Sequence, residues 1–298
     1  MNFNNDLVDD LARQKVVLFL GAGVSSSAPT NSGQKMRGWP AFLEFASTML
    51  DVDSSQEVKN LVAGKDYLIA SEILQESLGD KWNELIVDEY GQSAKPSKLH
   101  EGLVLLDQRI IITTNFDKLL ETAWDNKFGD STHYPIVISG VQDKVFSILK
   151  ENSRRYIVKI HGSIDDSDNI VFSRSQYVRS AFENPAYNNF MDCLLLNYTF
   201  LFVGFSMDDP AIVGLMEGYA FRYPKARPHY IFAAEGGSQR ITDINQKLRK
   251  LISLKYDARD DHLLLPTHLR ELAQLMHKRR NEIYTEMKNQ LSRVQSQS

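Results

Sequence analysis

Cysteine occurs once in the 298 residues, at Cys193. A lone thiol excludes an internal disulfide framework and a thiolate-rich zinc site, and its place in the apolar run 191–196 reads as packing. No apolar stretch approaches the length of a membrane span, and residues 1–10 are polar and acidic without a leader pattern, so a cytoplasmic protein is expected. A basic excess is missing as well. With a net charge of −4 and an isoelectric point near 6.0, a surface built throughout for nucleic acid is not expected, and neither a membrane nor a nucleic-acid partner is evident. What is present, 43% apolar and 24% charged residues, is the composition of an ordinary globular chain with apolar side chains enough for a substantial core.

The chain is organised around residues 15–27. Val16 to Leu20 are apolar without interruption and too few for a helix, the pattern of a strand buried on both faces of a parallel sheet. Gly21 and Gly23 then leave no Cβ between the backbone and an approaching ligand, and Ser25, Ser26 and Ser27 follow with hydroxyls, a place that suits a diphosphate. The pattern is G-x-G only. Ser26 stands where a dinucleotide fingerprint has its third glycine, and no Lys follows as a P-loop requires, so a strand-to-loop turn without a ligand is an equal alternative at this point.

Residues 28–38, rich in Ser, Gly, Asn and Pro, read as a mobile loop beside that turn. Apolar residues three and four apart predict helices over 5–14, 39–50, 56–61, 67–78, 81–90 and 99–106, and the run from about 39 to 98 is too long for a simple crossover, so it predicts a helical insertion on the sheet. Further strands are expected over 109–114, 156–160, 200–203, 230–232 and 252–254, with helices over 118–126, 174–182, 186–196 and 239–250. Residues 127–155 give no clear pattern. Strands alternating with helices predict an α/β fold, a Rossmann-like doubly wound parallel sheet, over residues 1–265. Residues 266–294 predict a C-terminal helix, packed on its own domain or meeting a partner, with a frayed Ser-Gln tail to 298.

Three polar stretches follow the ends of apolar strands, where ligands bind in such sheets, so the glycine turn, Asn115 and His161 are expected to converge. Asp117 is expected to cap the helix after it, and Asp208 and Asp209 to cap a helix starting at Pro210. Asp165, Asp166 and Asp168 read as a solvated acidic turn, and the remaining histidines have no partners at metal-ligand spacing.

Taken together, Gly21-Ala22-Gly23-Val24-Ser25, Thr114-Asn115-Phe116-Asp117, Lys159-Ile160-His161-Gly162-Ser163 and Val203-Gly204-Phe205-Ser206 resemble, in order and spacing, the motifs of the sirtuin-like NAD-binding family. Residues 173–210 resemble its bacterial antiviral-defence branch, and the likeness covers about residues 10–257. It implies that Gly21, Ala22, Gly23 and Ser25 hold the NAD diphosphate, that Asn115 and Asp117 surround the nicotinamide ribose and carboxamide, and that Gly204 and Ser206 contact the adenosine side. His161 matches the catalytic histidine, with Asn115 as its partner in catalysis. Two departures stand out. The deacylases of the family have Gly-Thr-Ser where this chain has Gly-Phe-Ser, and their four-cysteine zinc module is missing between residues 163 and 198, which contain only Cys193.

The resemblance therefore implies an NAD hydrolase of antiviral defence, with NAD as substrate and no zinc, releasing nicotinamide and ADP-ribose. Breaking the nicotinamide–ribose bond leaves an oxocarbenium-like sugar, and a histidine titrating near neutrality suits the deprotonation of the incoming nucleophile. A homo-oligomer and a HerA-type partner ATPase are the implied partners. The alternatives are a non-catalytic sensor of NAD or an ADP-ribose derivative, and an NAD-dependent deacylase or ADP-ribosyltransferase. Arg37 is the one candidate for reading a 2′-phosphate.

Overall fold

Short apolar runs become strands and longer amphipathic ones become helices in the computed structural model, which describes residues 1–30, 33–92, 94–129 and 134–295. In chain order the first half contains α1 (Asn5–Ala12), β1 (Val16–Leu20), α2 (Ala22–Ser25), α3 (Trp39–Ser47), α4 (Val52–Ala63), α5 (Tyr67–Leu78), α6 (Asp80–Tyr90), α7 (Lys98–Leu105) and β2 (Ile110–Thr113). Then come α8 (Leu119–Phe128), β3 (Ile136–Ser139), α9 (Ser147–Lys150), β4 (Tyr156–Lys159), α10 (Arg174–Tyr177), α11 (Pro185–Asn197) and β5 (Thr199–Val203). The remainder is α12 (Pro210–Arg222), β6 (His229–Ala234), α13 (Gln239–Arg249), β7 (Leu251–Tyr256), α14 (Arg259–His262) and α15 (Leu264–Gln295). The expected frayed tail falls on residues 296–298, outside the described residues.

The strands form one all-parallel sheet in the order β3-β4-β2-β1-β5-β6-β7. Because successive side chains point to opposite faces, the unbroken apolar run of β1 serves two cores. Val16, Leu18 and Leu20 pack with α1, α7, α8 and α15, whereas Val17 and Phe19 pack with α11 and α12. This is the doubly wound arrangement. The chain leaves β1 toward β2 on one side and returns to β5 on the other, so the β1–β5 boundary is the switch point of the sheet, where the loops part.

Four helices, α3 to α6, build the insertion around its own aromatic core. Phe42, Trp82 and Tyr90 all touch Phe172, and Tyr90 touches Phe116. Phe116 follows β2 and Phe172 follows β4. Each of two strand-end loops thus sends one ring into the lobe.

The described part of the 28–38 loop is held at both ends. Ala28 and Met36 are buried, Pro29 bridges to Lys35 and Thr30 to Ala94, and the Arg37 side chain pairs with buried Glu89. Residues 31 and 32 lie outside the described residues. The C-terminal helix divides in two. Leu265, Leu269, Leu272, Ala273 and Met276 are buried in the core shared with α1 and α7, while Tyr284, Met287, Leu291 and Val294 stand exposed.

Several boundaries differ from the sequence-based expectation for physical reasons. β3 sits at the sheet edge with Ile136 and Val137 exposed, so it lacks the unbroken buried run that marks the inner strands. α4 starts four residues earlier than the 56–61 pattern because Asp51 caps it, accepting the Asp53 and Ser54 N–H groups at 3.1 and 3.0 Å, while its first residue Val52 is exposed. The predicted helix over 174–182 continues from α10 into a π turn, Val178–Phe182.

Candidate functional site

The four motif loops leave the carboxyl ends of β4, β2, β1 and β5, which are consecutive neighbours in the sheet. They are tied in a ring. The Asn115 side-chain amide donates to the Gly21 carbonyl at 3.0 Å, joining the β2 and β1 loops, and the Gly23 N–H donates to the Gly204 carbonyl at 2.9 Å, joining β1 to β5. The Ile164 N–H donates to the Phe116 carbonyl at 3.1 Å, joining the β4 and β2 loops, and His161 Nε2 lies 3.2 Å from Asp209 Oδ2. That last contact spans three strand spacings, about 14 Å at roughly 4.8 Å each, across the top of β2 and β1.

Glycine is required where the β1 and β5 loops meet. A Cβ on Gly21 would lie 2.5 Å from the Gly204 carbonyl oxygen, and one on Gly23 2.9 Å from the Gly204 Cα. Gly204 itself sits at φ +60°, a conformation that favours glycine. Loop-on-loop packing therefore demands these glycines independently of any ligand, a reason different from the open approach that the sequence suggested. Ala22 and Gly23 are exposed at the rim, as is Ser206. Ser25 is turned inward, correcting the reading of a freely offered hydroxyl: it donates to Asp117 Oδ2. Asp117 Oδ1 takes the Leu119 N–H at 2.9 Å, so the aspartate does serve the start of α8, one residue outside its N-cap Lys118.

The His161 ring is almost wholly buried, and its Nδ1 has no hydrogen-bond partner among the described residues. Gly162 lets the chain turn after it at φ +95°, where a Cβ would press to 2.8 Å on the Asn169 carbonyl. The opposing Asp209 Oδ1 accepts from the Tyr177 hydroxyl and, at 3.0 Å, from the Ile212 N–H. Burial alone would raise the Asp209 pKa, but the bond and charge of His161, with the Tyr177 and Ile212 bonds, outweigh it and hold the carboxyl below its ordinary range.

A buried cation lies under the same loops. Lys159 Nζ donates to the Asp117 carbonyl at 2.6 Å and pairs with Glu121 Oε1 at 2.7 Å, and it reaches the Phe116 carbonyl and Ser163 hydroxyl at 3.4 Å. Burial pushes the Glu121 pKa up while the Lys159 charge opposes it. The pair fastens the β2 loop and α8 to the end of β4.

The structure thus brings Gly21, Gly23, Asn115, His161 and Gly204 together at one end of the sheet, with Asp117 behind them. It does not leave Arg37 free for a phosphate: its guanidinium pairs with Glu89 and lies 4.0 Å over the Phe45 ring. Asp165 and Asp166 are exposed, the first paired with Lys118 at 3.0 Å, the second bound by Asn169. Sequence reasoning missed the pairing of Asp209 with His161, the support from Tyr177, and Lys159. Only Asp209 carried a signal, its place before Pro210, and that signal read as a helix cap, which Asp209 also is. Among the described residues no group of three or more His, Cys, Asp and Glu side chains is placed to hold a metal ion, and no helix is long and apolar enough to cross a membrane.

Comparison with known proteins matches residues 109–256 to the SIR2-like domain. Over 226 residues, 74% of this chain and 43% of the relative, it is 26% identical to the NAD(+) hydrolase ThsA of Enterococcus faecium. It is also 26% identical to the NAD(+) hydrolase ThsA of Bacillus cereus, over 76% of this chain and 45% of that protein. The defense-associated sirtuin 2 of Bacillus subtilis is 24% identical over 68% of this chain and 19% of its own length. The chain spans less than half the length of these curated relatives.

Proposed function

We propose that this chain, whose residues 109–256 carry a SIR2-like domain, hydrolyses NAD at the nicotinamide–ribose bond and so depletes NAD in antiviral defence. The observation that carries the reading is His161 in the ring of strand-end loops, its Nε2 against Asp209 and its buried Nδ1 without a partner among the described residues. Leaving such a nitrogen unsatisfied costs about 1–3 kcal/mol, and a bound water or ribose hydroxyl donating to it would satisfy it. The relatives named as NAD(+) hydrolases supply the substrate.

In this reading the N-glycosidic bond breaks with its electron pair going to the nicotinamide nitrogen. Water adds to the ribose C1′ as His161 takes its proton, giving nicotinamide, ADP-ribose and one proton. Asn115, already tied to the Gly21 carbonyl, orients the ribose hydroxyl or the attacking water and adds no charge. Gly21, Ala22, Gly23 and Ser25 form the diphosphate side, Asp117 stands behind the ribose, and Gly204 and Ser206 face the adenosine side. We assign residues 1–265 to this NAD-cleaving domain and 266–298 to a C-terminal helix and tail. A homo-oligomer and a HerA-type partner ATPase belong to the same proposal, since unregulated NAD hydrolysis would kill the host.

The test is nicotinamide release from NAD by the purified chain, alone and with its genomic neighbour, beside folded His161→Ala and Asn115→Ala variants. Release that disappears in both variants supports a hydrolase acting through these two residues. Saturable NAD binding without release under any condition overturns it and leaves a sensor; acyl transfer from a modified peptide would instead mark a deacylase.

A further inference from the structure

Three donors converge on one carboxylate at the head of α12. Asp209 Oδ2 faces His161 Nε2 at 3.2 Å, and Oδ1 takes the Tyr177 hydroxyl together with the Ile212 N–H at 3.0 Å. The Tyr177 oxygen is anchored in turn, accepting the Ala211 N–H at 2.9 Å. An ionised carboxylate only accepts, so the proton between Asp209 and the ring belongs to Nε2. In neutral His161 the lone pair is then left on Nδ1, the nitrogen without a partner among the described residues. Burial and the Asp209 charge raise the Tyr177 pKa, so that hydroxyl stays protonated and keeps donating.

From this geometry we propose that Asp209, braced by Tyr177, is the positioning residue for His161. It fixes the ring with its proton on Nε2, presents Nδ1 as the accepting nitrogen, and stabilises the imidazolium that forms when Nδ1 takes a proton from the attacking water. The inference rests on the NAD-cleaving reading for the source of that proton, whereas the orientation of the ring stands apart from it. A helix cap alone would need no such arrangement, and the two roles separate by substitution. Asparagine caps helices as well as aspartate does, so Asp209→Asn keeps the cap and removes the anion.

The experiment measures kcat and KM for nicotinamide release, and the His161 tautomer by nitrogen NMR with His161→Gln identifying the signal, in the full chain. Asp209→Asn is expected to lower kcat roughly 10- to 100-fold, less than the 10² to 10⁴ that a whole base supplies, with KM changed by less than about twofold. Tyr177→Phe acts in the same direction by a smaller factor. The wild type shows the proton on Nε2, and Asp209→Asn moves population to Nδ1. An unchanged kcat, an unchanged tautomer, or a wild type protonated on Nδ1 overturns the proposal. Should Asp209→Asn melt early, Tyr177→Phe carries the test, because it keeps the Asp209 cap of α12 and removes from that helix only the acceptor of the Ala211 N–H. If the wild type releases no nicotinamide, the NAD-cleaving reading fails by itself. The tautomer then decides alone: redistribution upholds the positioning role, and none overturns it.

Discussion

Two buried histidines of one sheet have opposite surroundings. His161, beyond the carboxyl end of β4, meets a carboxylate and a tyrosine ring. His229, at the start of β6, accepts the Phe200 N–H on Nδ1 at 3.0 Å and packs its ring on Phe200 and Tyr219. Burial, reinforced by the charge of Lys250, drives the His229 pKa down to about 3. That ring is a neutral acceptor for a strand amide, and its Nε2, like His161 Nδ1, is buried without a hydrogen-bond partner among the described residues. Both rings are taken out of water, and what sets His161 apart is the anion facing its Nε2. Loops at the carboxyl ends of strands can supply that anion because they have left the ladder.

The largest effect that tests this contrast is on turnover. His161→Gln should lower nicotinamide release by about 10² to 10⁴, whereas His229→Gln should leave kcat within about twofold and act on stability. Equal losses of turnover would break the comparison. Next comes Lys159, a third buried ionisable group, whose role is purely to fasten. Lys159→Met leaves Glu121 buried without its cation and should lower unfolding free energy by about 3–5 kcal/mol in urea titration.

Acid sharpens the difference between the histidines. His229 has its folded pKa below the ordinary 6.5, so its contribution to stability is complete above that value and is lost as pH falls toward about 3. Between pH 6.5 and 5 the loss should reach about 2 kcal/mol, and His229→Gln should flatten the stability profile in that window. His100, lowered to about 4 by burial, adds a slope of the same sign, which the variant keeps. The smallest effect is expected on the distal part of α15, where Leu291→Glu should shift stability by less than about 0.5 kcal/mol. A larger loss would mean that this face is covered in solution by a second copy.

The inner strands were legible because a parallel strand buried on both faces leaves an unbroken apolar run, as in β1, β2 and β5. β3 was not, although Ile136-Val137-Ile138 is as apolar as the run of β2, because the mixed stretch 127–155 around it gives no clear pattern. The loops that carry Gly21, Asn115, His161 and Gly204 could be placed at one sheet end from their position after strands alone. The partner of His161 could not, because Asp209 is 48 residues away and its local signal was fully accounted for by the helix it starts. Arg37 misled for the opposite reason: a cation in a polar loop looks free until Glu89, from a separate helix, is folded against it. Lys159 was hidden inside a strand, where one charge among apolar neighbours gives no hint of the carbonyls it will meet.

The aromatic rings of Phe116 and Phe172 give the lobe a claim on the time axis. Because Phe172 packs on Phe42, Trp82 and Tyr90, and Phe116 on Tyr90 and Phe172, the lobe cannot loosen without withdrawing a ring from each of two site loops. In hydrogen-exchange terms the core of α3 to α6 and the amides flanking His161 and Asn115 are expected to open together, with a common exchange rate and a common response to denaturant. A contact that loosened the lobe would then be felt at the loops of His161 and Asn115 through these two rings.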